Sequence, residues 1–297
     1  MQQLNSSNSS LTAPVSTENL IASSVLAVCF ILGVPGNIAV MVRLAGWLKG
    51  GSFTPRLMLS LAISDLLTLL SLPVWIWSLL HGWVFDLFLC KLLSYLVYFS
   101  LYCSTLCVML MSIQRYIQVL HPQKWNKLGS KGKKILLSGM WILSGVLSSY
   151  ALVQRSLCLD RKGLLQCKKC FQNDAERVAT LIWEIITFVV SFPILTYFYF
   201  QLYRGVNNSG FFSSNLMTKL VTRIVACFFI FWIPFHINNI VLITAVLLGN
   251  GSLLKSAEAG DNITGAMTFI NSCVNPFLYA FSARALRQFT PGTENTP

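Results

Sequence analysis

Long apolar stretches alternate with short polar ones along most of the chain. Each apolar stretch reaches the roughly 20 residues that a helix needs to cross a hydrocarbon core of about 30 Å. Backbone groups in lipid have to pair within their own segment, so these stretches are expected to be α-helices. The pattern predicts an all-α membrane protein, a seven-transmembrane helix bundle. The predicted spans are residues 18–43, 54–80, 88–120, 134–154, 177–203, 218–248 and 262–282.

The segments between the spans are short, which indicates one domain. Residues 1–17 form a polar N-terminal tail, and residues 18–282 form the bundle. Basic and apolar residues then alternate from Ser282 to Phe289, as they do in a short amphipathic helix at a membrane surface. We therefore expect residues 283–297 to form a short interfacial helix and a cytoplasmic tail. Residues 1–16 do not have the basic and apolar regions of a cleavable signal peptide.

Composition supports a membrane protein. Mean hydropathy is +0.64 and 11% of the residues are charged, against about 25% in soluble domains. If the N-terminus is outside, the inner segments hold most of the basic residues, and of the acidic ones only Glu294. This is the asymmetry of a cytoplasmic face, so the net charge of +12 needs no nucleic-acid partner. Asn5 and Asn8, each in an Asn-Ser-Ser triplet, are predicted glycosylation acceptors on the outer side.

Polar residues inside the spans predict a polar core. Asp65 is the only carboxylate between Leu57 and Leu80, and an ionisable group at that depth needs polar partners, water or an ion. Asn275 lies in another apolar run and is expected to be such a partner. We also expect Asn37 to link to Asp65, because an unpaired amide in a membrane is costly.

Prolines and large side chains indicate movable helices. Pro276 precedes Tyr279 by one turn, and Pro234 follows Trp232 by two residues, which places a bulky ring beside a hinge. Arg115, at the inner end of the third span, either reaches lipid headgroups or acts as a switch that exchanges partners. Gln114 and Tyr116 flank it.

The outer ends of the spans hold candidate ligand contacts. Glu184 lies below the outer surface and is expected to face a wet cavity, while His236 and Asn239 continue a polar face of the sixth span outward. Arg155 contacts either headgroups or an anionic ligand. Three tryptophans near this level are predicted to form an interfacial belt. They are Trp75, Trp77 and Trp83.

Four cysteines fall on the outer side, where disulfides persist. Cys90 is expected to pair with Cys167 or with Cys170, and either bridge would fix the longest outer loop across the bundle. Sequence does not decide the pairing of four cysteines, and the two left over are able to form a second bridge.

Other functional classes are less well supported. The sequence contains no His-Glu-x-x-His, Gly-x-Ser-x-Gly or phosphate-loop motif, and its three histidines are dispersed, so neither an enzyme nor a metal cluster is expected. A transporter is the main competing class, but no repeat relates the two halves.

Together these motifs resemble the rhodopsin-like (class A) G protein-coupled receptors along essentially the whole chain. The motifs that carry the resemblance are Gly36-Asn37, Leu61 with Asp65, Cys90, Gln114-Arg115-Tyr116, Trp141, Pro193, Phe231-Trp232-Ile233-Pro234 and Asn275-Pro276-Phe277-Leu278-Tyr279. The resemblance implies a multi-pass plasma-membrane receptor with an extracellular N-terminus, which activates heterotrimeric G proteins and also binds arrestin.

The resemblance also implies roles for the polar core. Asp65, Ser104, Asn271 and Asn275 would hold a sodium ion below Trp232, and no other cofactor is expected. Arg115 and Tyr279 would rearrange to admit a G protein. Gln114 stands where the family usually has an acidic residue, which predicts weaker restraint of Arg115 and raised basal activity.

A closer resemblance, to leukotriene B4 receptors of the low-affinity type and related chemoattractant receptors, rests on Leu44-Ala45-Gly46-Trp47, Ser100-Leu101-Tyr102 and Glu184, among others. It implies an anionic hydroxy fatty acid as ligand and an inhibitory-type G protein. Arg155 would meet the carboxylate, and Tyr102, Glu184 and His236 would contact hydroxyls or brace the pocket. A peptide ligand is the alternative.

Overall fold

The computed structural model describes residues 15–47, 53–160, 163–209 and 215–288. Within them the chain forms nine α-helices and one two-stranded sheet. In chain order the elements are α1 (Thr17–Trp47), α2 (Phe53–His81), α3 (Leu87–Leu120), α4 (Pro122–Lys127), α5 (Gly129–Ser148), α6 (Tyr150–Gln154), β1 (Arg155–Leu159), β2 (Leu165–Lys169), α7 (Asp174–Ser209), α8 (Asn215–Leu247) and α9 (Gly251–Gln288).

Five stretches of the described residues are long and apolar enough to cross a membrane. They are Thr17–Ala45, Phe53–His81, Leu87–Gln118, Gly129–Gln154 and Arg223–Leu247. Each overlaps one predicted span, and the fourth combines α5 and α6. The remaining two predicted spans, 177–203 and 262–282, lie within α7 and α9, which are of similar length.

The long helices pack into a ring around α3. Helix α1 packs against α2 and α9, α9 against α8, and α8 against α7. Helix α3 contacts α2, α5, α7 and α8, so it lies at the centre of the bundle. The β-hairpin covers one end, called the hairpin end below, and α4 lies at the other, called the α4 end. In this arrangement each long helix has one side that faces the inside of the bundle.

Polarity in this bundle is reversed relative to a soluble protein. Asp65 and Asn275 have no exposed surface, whereas Val42, Ile142 and Val153 are 70%, 67% and 78% exposed. Apolar side chains on the outside suit a hydrocarbon solvent, and buried polar groups then have to pair with one another. The polar residues thus form an internal seam that joins the helices.

Proline occurs inside five of the long helices. One of these prolines, Pro276 of α9, packs closely against a glycine of α1. A Cβ on Gly36 of α1 would lie 3.0 Å from the Cβ of Pro276 on α9, closer than ordinary van der Waals contact. A side chain here would push α1 away from α9. The prolines inside helices are Pro35, Pro73, Pro193, Pro234 and Pro276.

Two disulfides hold the hairpin against the bundle. Cys167 of β2 pairs with Cys90 in the first turn of α3, with a Cα–Cα distance of 5.6 Å. Cys158 of β1 pairs with Cys170, just beyond β2. In addition, the Trp83 backbone N–H donates to the Leu165 carbonyl oxygen over 2.6 Å. The loop is therefore fixed across the hairpin end.

Two expectations differ from the structure. The Asn37 amide nitrogen donates to the carbonyl oxygens of Gly33 and Ser272, at 3.0 and 3.1 Å, and not to Asp65. The expected link was wrong, because backbone carbonyls near Asn37 satisfy its nitrogen first. Helix α9 also continues without a break to Gln288. Residues 289–297 and the acceptors Asn5 and Asn8 lie outside the described residues.

Candidate functional site

A cavity of about 810 Å³ opens at the hairpin end. A narrower chamber of about 160 Å³ lies deeper in the bundle. Tyr98 and Arg155 line both, so the two spaces meet at these side chains. The larger cavity falls within the range of about 300–1,000 Å³ typical of small-molecule sites. The bundle thus contains a wide mouth and a narrow lower end.

Arg155 is placed by the local backbone. Helix α6 ends at Gln154 and β1 begins at Arg155, whose extended conformation directs the chain into the hairpin. The Nη1 group donates to the Cys167 carbonyl oxygen at 3.3 Å, and the guanidinium carbon lies 5.9 and 5.8 Å from the ring centroids of Trp75 and Tyr98. Its Nε is buried without a hydrogen-bond partner, and no carboxylate in the described part of the chain forms an ion pair with it. Arg155 is therefore a cation available to a ligand.

Glu184, in contrast, is fully occupied. Its Oε1 accepts from Lys169 Nζ at 2.5 Å and from the Tyr98 hydroxyl at 3.1 Å, and its Oε2 accepts from Asn239 Nδ2 at 3.2 Å. Burial opposes the charge on Lys169, but the Glu184 carboxylate outweighs it, and the pKa of Lys169 is raised. The pair joins β2 of the hairpin to α7 and is neutral overall.

Half of the residues that line the lower chamber are aromatic. The His236 ring stacks on Phe188, with centroids 4.1 Å apart, and Trp232 lies below it at 5.8 Å from His236. Both His236 ring nitrogens are buried without a partner within the described structure. Leaving a buried polar atom unpaired costs about 1–3 kcal/mol. A ligand hydroxyl in this chamber would supply the missing hydrogen bond.

The six candidate ligand contacts do not all reach the cavities. Tyr102, Glu184, Trp232 and His236 line the chamber, and Arg155 lines both spaces. Asn239 is absent from the described lining of either space, because it lies beside Glu184 and holds its carboxylate. Its role in the structure is to position Glu184.

The predicted tryptophan belt was largely wrong. Trp77 is 50% exposed, as an interfacial residue would be. Trp83 is 3% exposed and packs with Cys90 and Cys167, while Trp75 lines the mouth beside Arg155. Trp83 is buried because it packs against the disulfide between Cys90 and Cys167. Nothing in the tryptophan spacing distinguishes these environments.

Three important side chains were not singled out from the sequence as pocket residues. Lys169 had a usable signal, because residues two apart on a strand share a face, and Cys167 faces the bundle. Tyr98 lies one turn before Tyr102 on α3, so the same periodicity places it on the cavity side. Phe188 gave no signal beyond its apolar surroundings.

The polar seam below the chamber centres on Asp65. The Ser104 hydroxyl donates to Oδ1 at 3.1 Å, and Asn275 Nδ2 donates to Oδ2 at 2.8 Å. Ser64 extends the network to Ser104 at 3.0 Å. The side-chain oxygens of Asn271 and Asn275 are buried without hydrogen-bond partners in the part of the chain described. A carboxylate, a hydroxyl and two amide oxygens are ligand types that hard cations prefer.

At the α4 end, the hydroxyl of Thr54 on α2 accepts hydrogen bonds from two side chains of α3. Thr54 Oγ1 accepts from Gln114 Nε2 at 2.7 Å and from Arg115 Nη2 at 3.3 Å. Tyr116 instead packs edge to face on Phe198 of α7, with centroids 5.2 Å apart. Gln114 thus pairs with the same partner as Arg115 rather than with Arg115 itself. The side chain of Tyr279, the other predicted switch residue, lies outside the described residues.

The chain is similar to known receptors over most of its length. Residues 36–279 match the family model of the 7 transmembrane receptor (rhodopsin family). The human leukotriene B4 receptor 1 is 30% identical over 275 residues, which are 90% of this chain and 78% of that protein. The mouse C-C chemokine receptor type 8 is 28% identical over 288 residues, or 91% and 80% of the two chains. The protein therefore belongs to the rhodopsin family of seven-transmembrane, G protein-coupled receptors.

Proposed function

We propose that the protein is a receptor for an extracellular hydroxylated fatty acid with one carboxylate, leukotriene B4 or a close relative. In this proposal it signals through an inhibitory-type G protein in chemoattraction. The availability of the Arg155 guanidinium, with an unpaired buried Nε, is the observation that carries the proposal. Similarity to leukotriene B4 receptors from three mammals supports the choice of lipid class.

A single carboxylate suits the mouth of the cavity. Lys169 is already neutralised by Glu184, and Arg155 is a cation of the mouth that also lines the chamber below it, which Lys168 does not line. A guanidinium presents a planar pair of N–H groups that matches a carboxylate, and charge-assisted hydrogen bonds of this kind are about twice as strong as neutral ones. Trp75 and Tyr98 also place their rings within 6 Å of the guanidinium, at a distance suited to cation–π attraction.

The hydrocarbon tail then occupies the aromatic chamber. Phe188 and Trp232 offer apolar contact, and the unpaired nitrogens of His236 receive a hydroxyl. A tail that presses on Trp232 acts two residues from Pro234, where α8 lacks one backbone hydrogen bond. Movement of α8 about Pro234 is our proposed link between the cavity and the G protein.

A small peptide is the second candidate ligand, and the charged rim favours it. Arg177 and Glu258 form an ion pair of 2.8 Å at the mouth, and Lys168 and Asp261 also line it. Similarity to chemokine receptors points the same way. The narrow apolar chamber supports a lipid tail more directly than a peptide chain. A transporter is not favoured, since the family is one of receptors.

The test is a screen of eicosanoids and chemotactic peptides on cells expressing the protein, with cyclic AMP and calcium as readouts. We expect hydroxylated fatty acids to lower stimulated cyclic AMP, and Arg155→Ala to reduce their potency at least tenfold with surface expression unchanged. Lys168→Ala is the matched control, because it removes a cation from the same mouth. Equal potency in wild type and Arg155→Ala would refute the carboxylate assignment, and a response to peptides alone would favour the second candidate.

A further inference from the structure

A dense group of lysines surrounds the short helix at the α4 end. It consists of Lys124, Lys127, Lys131, Lys133 and Lys134, called the lysine patch below. The chain has no acidic residue from Leu87 to Leu159, so the segment supplies no local counter-charge. Four of the five side chains are exposed, and none forms an ion pair within the described ranges. The patch is therefore an uncompensated positive surface.

The helix that carries part of the lysine patch is packed against the bundle. Trp125 of α4 is 7% exposed and its ring lies 5.4 Å from that of Phe53 at the start of α2. Lys133 Nζ lies 4.9 Å from the centre of the same Trp125 ring. One aromatic side chain thus contacts α4, α2 and the N-terminal part of α5. The lysines on α4 and α5 are held beside one another by this packing.

The patch also continues the lipid-facing side of α5. Ile135, Ile142 and Val146 are 62%, 67% and 63% exposed, and their spacing puts them on one helical face. Lys131 precedes Ile135 by four residues, so it lies on the same face, one turn beyond the apolar stripe. Lys131 is exposed, so it lies on the outer side of α5 and not over the centre of the bundle.

We propose that the lysine patch binds the phosphorylated headgroup of an anionic phospholipid in the membrane leaflet at the α4 end. Clusters of four to eight basic residues directly beside a transmembrane helix attract such headgroups, and the attraction grows with each added cation. A phosphoinositide with several phosphates meets several ammonium groups at once, whereas a singly charged lipid meets about one. The site is separate from the cavity at the hairpin end and needs no ligand there.

The experiment measures lipid retention by the full-length receptor in nanodiscs without any agonist. The discs contain phosphatidylcholine alone, or with phosphatidylserine, or with phosphatidylinositol 4,5-bisphosphate, and native mass spectrometry counts the lipids that stay bound. We expect the bisphosphate to be retained preferentially, and the triple variant Lys127→Gln, Lys131→Gln, Lys134→Gln to retain about tenfold less. Size-exclusion profiles and surface expression establish that the variant is folded.

A matched triple variant removes the same charge elsewhere at that end. Arg43 lies in the last turns of α1, Arg204 in the last turns of α7 and Arg223 in the first half of α8. The variant Arg43→Gln, Arg204→Gln, Arg223→Gln should retain the bisphosphate within about twofold of wild type. Equal losses in both variants would overturn the proposal, since net charge alone would then explain retention. Binding of free inositol trisphosphate as tightly as the lipid would also overturn it. So would unchanged lipid retention with impaired nucleotide exchange, which would assign the patch to the G protein.

Discussion

The buried ion pair between Lys169 and Glu184 should dominate the stability of the hairpin end. The two side chains are 16% and 7% exposed, and the contact joins β2 to α7. Removing one partner of a buried pair leaves the other charge uncompensated, at a typical cost of 3–5 kcal/mol. Because Lys169 keeps some solvent access, we expect Glu184→Gln to cost about 2–4 kcal/mol.

Thermal unfolding of the purified receptor measures this cost. At roughly 2 °C per kcal/mol for a chain of this size, Glu184→Gln should lower the melting temperature by about 4–8 °C. Lys169→Met should lower the melting temperature by a similar amount. The fall in the double variant should be much smaller than the sum of the falls in the two single variants. The coupling between the sites should exceed about 1 kcal/mol.

The pair of Arg177 and Glu258 provides the control. Its side chains are 24% and 33% exposed, so the same cycle with Arg177→Met and Glu258→Gln should give a coupling below about 1 kcal/mol. Glu184→Gln also frees the Lys169 ammonium, and should therefore raise the affinity for an anionic lipid, which Lys169→Met should not do. Additive losses at positions 169 and 184 would refute the reasoning.

Further predictions concern the seam, the α4 end and the disulfides. Sodium should lower agonist affinity in wild type but not in Asp65→Asn, as measured by binding in sodium and in potassium chloride. Ligand-free signalling should exceed that of empty membranes and should fall in Gln114→Asp, which restores a carboxylate beside Arg115; equal basal activity would contradict this. Cys167→Ser should reduce surface expression more than Cys170→Ser, because the bridges close loops of 77 and 12 residues, worth about 4.5 and 3 kcal/mol in a chain-entropy estimate.

The length of the apolar stretches and the polar residues inside them were sufficient to predict most of the fold. Proline, asparagine and aspartate stand out in an apolar chain because lipid makes each of them costly. The contact of Asp65 with Asn275 follows from that cost. The partner of Asn37 does not, since nearby backbone carbonyls carry no sequence signal.

The mouth of the cavity was harder to predict. Whether Arg155 faces headgroups or the cavity depends on how the hairpin turns, and that depends on which cysteines pair. The burial of Trp83 depends on the same disulfide. Lys169 becomes a partner of Glu184 only once Cys167 is fixed to Cys90. Strand periodicity puts Lys169 on the same face as Cys167, but only the long-range disulfide determines that this face meets Glu184.

Nucleotide exchange by the reconstituted receptor tests the ligand assignment most directly. The receptor and an inhibitory-type G protein are placed in nanodiscs and given leukotriene B4 either as the free acid or as its methyl ester. We predict that the acid accelerates exchange, that the ester is at least tenfold less potent, and that Arg155→Gln abolishes the difference. If acid and ester act equally on wild type, Arg155 does not bind a carboxylate and the proposed ligand class is wrong.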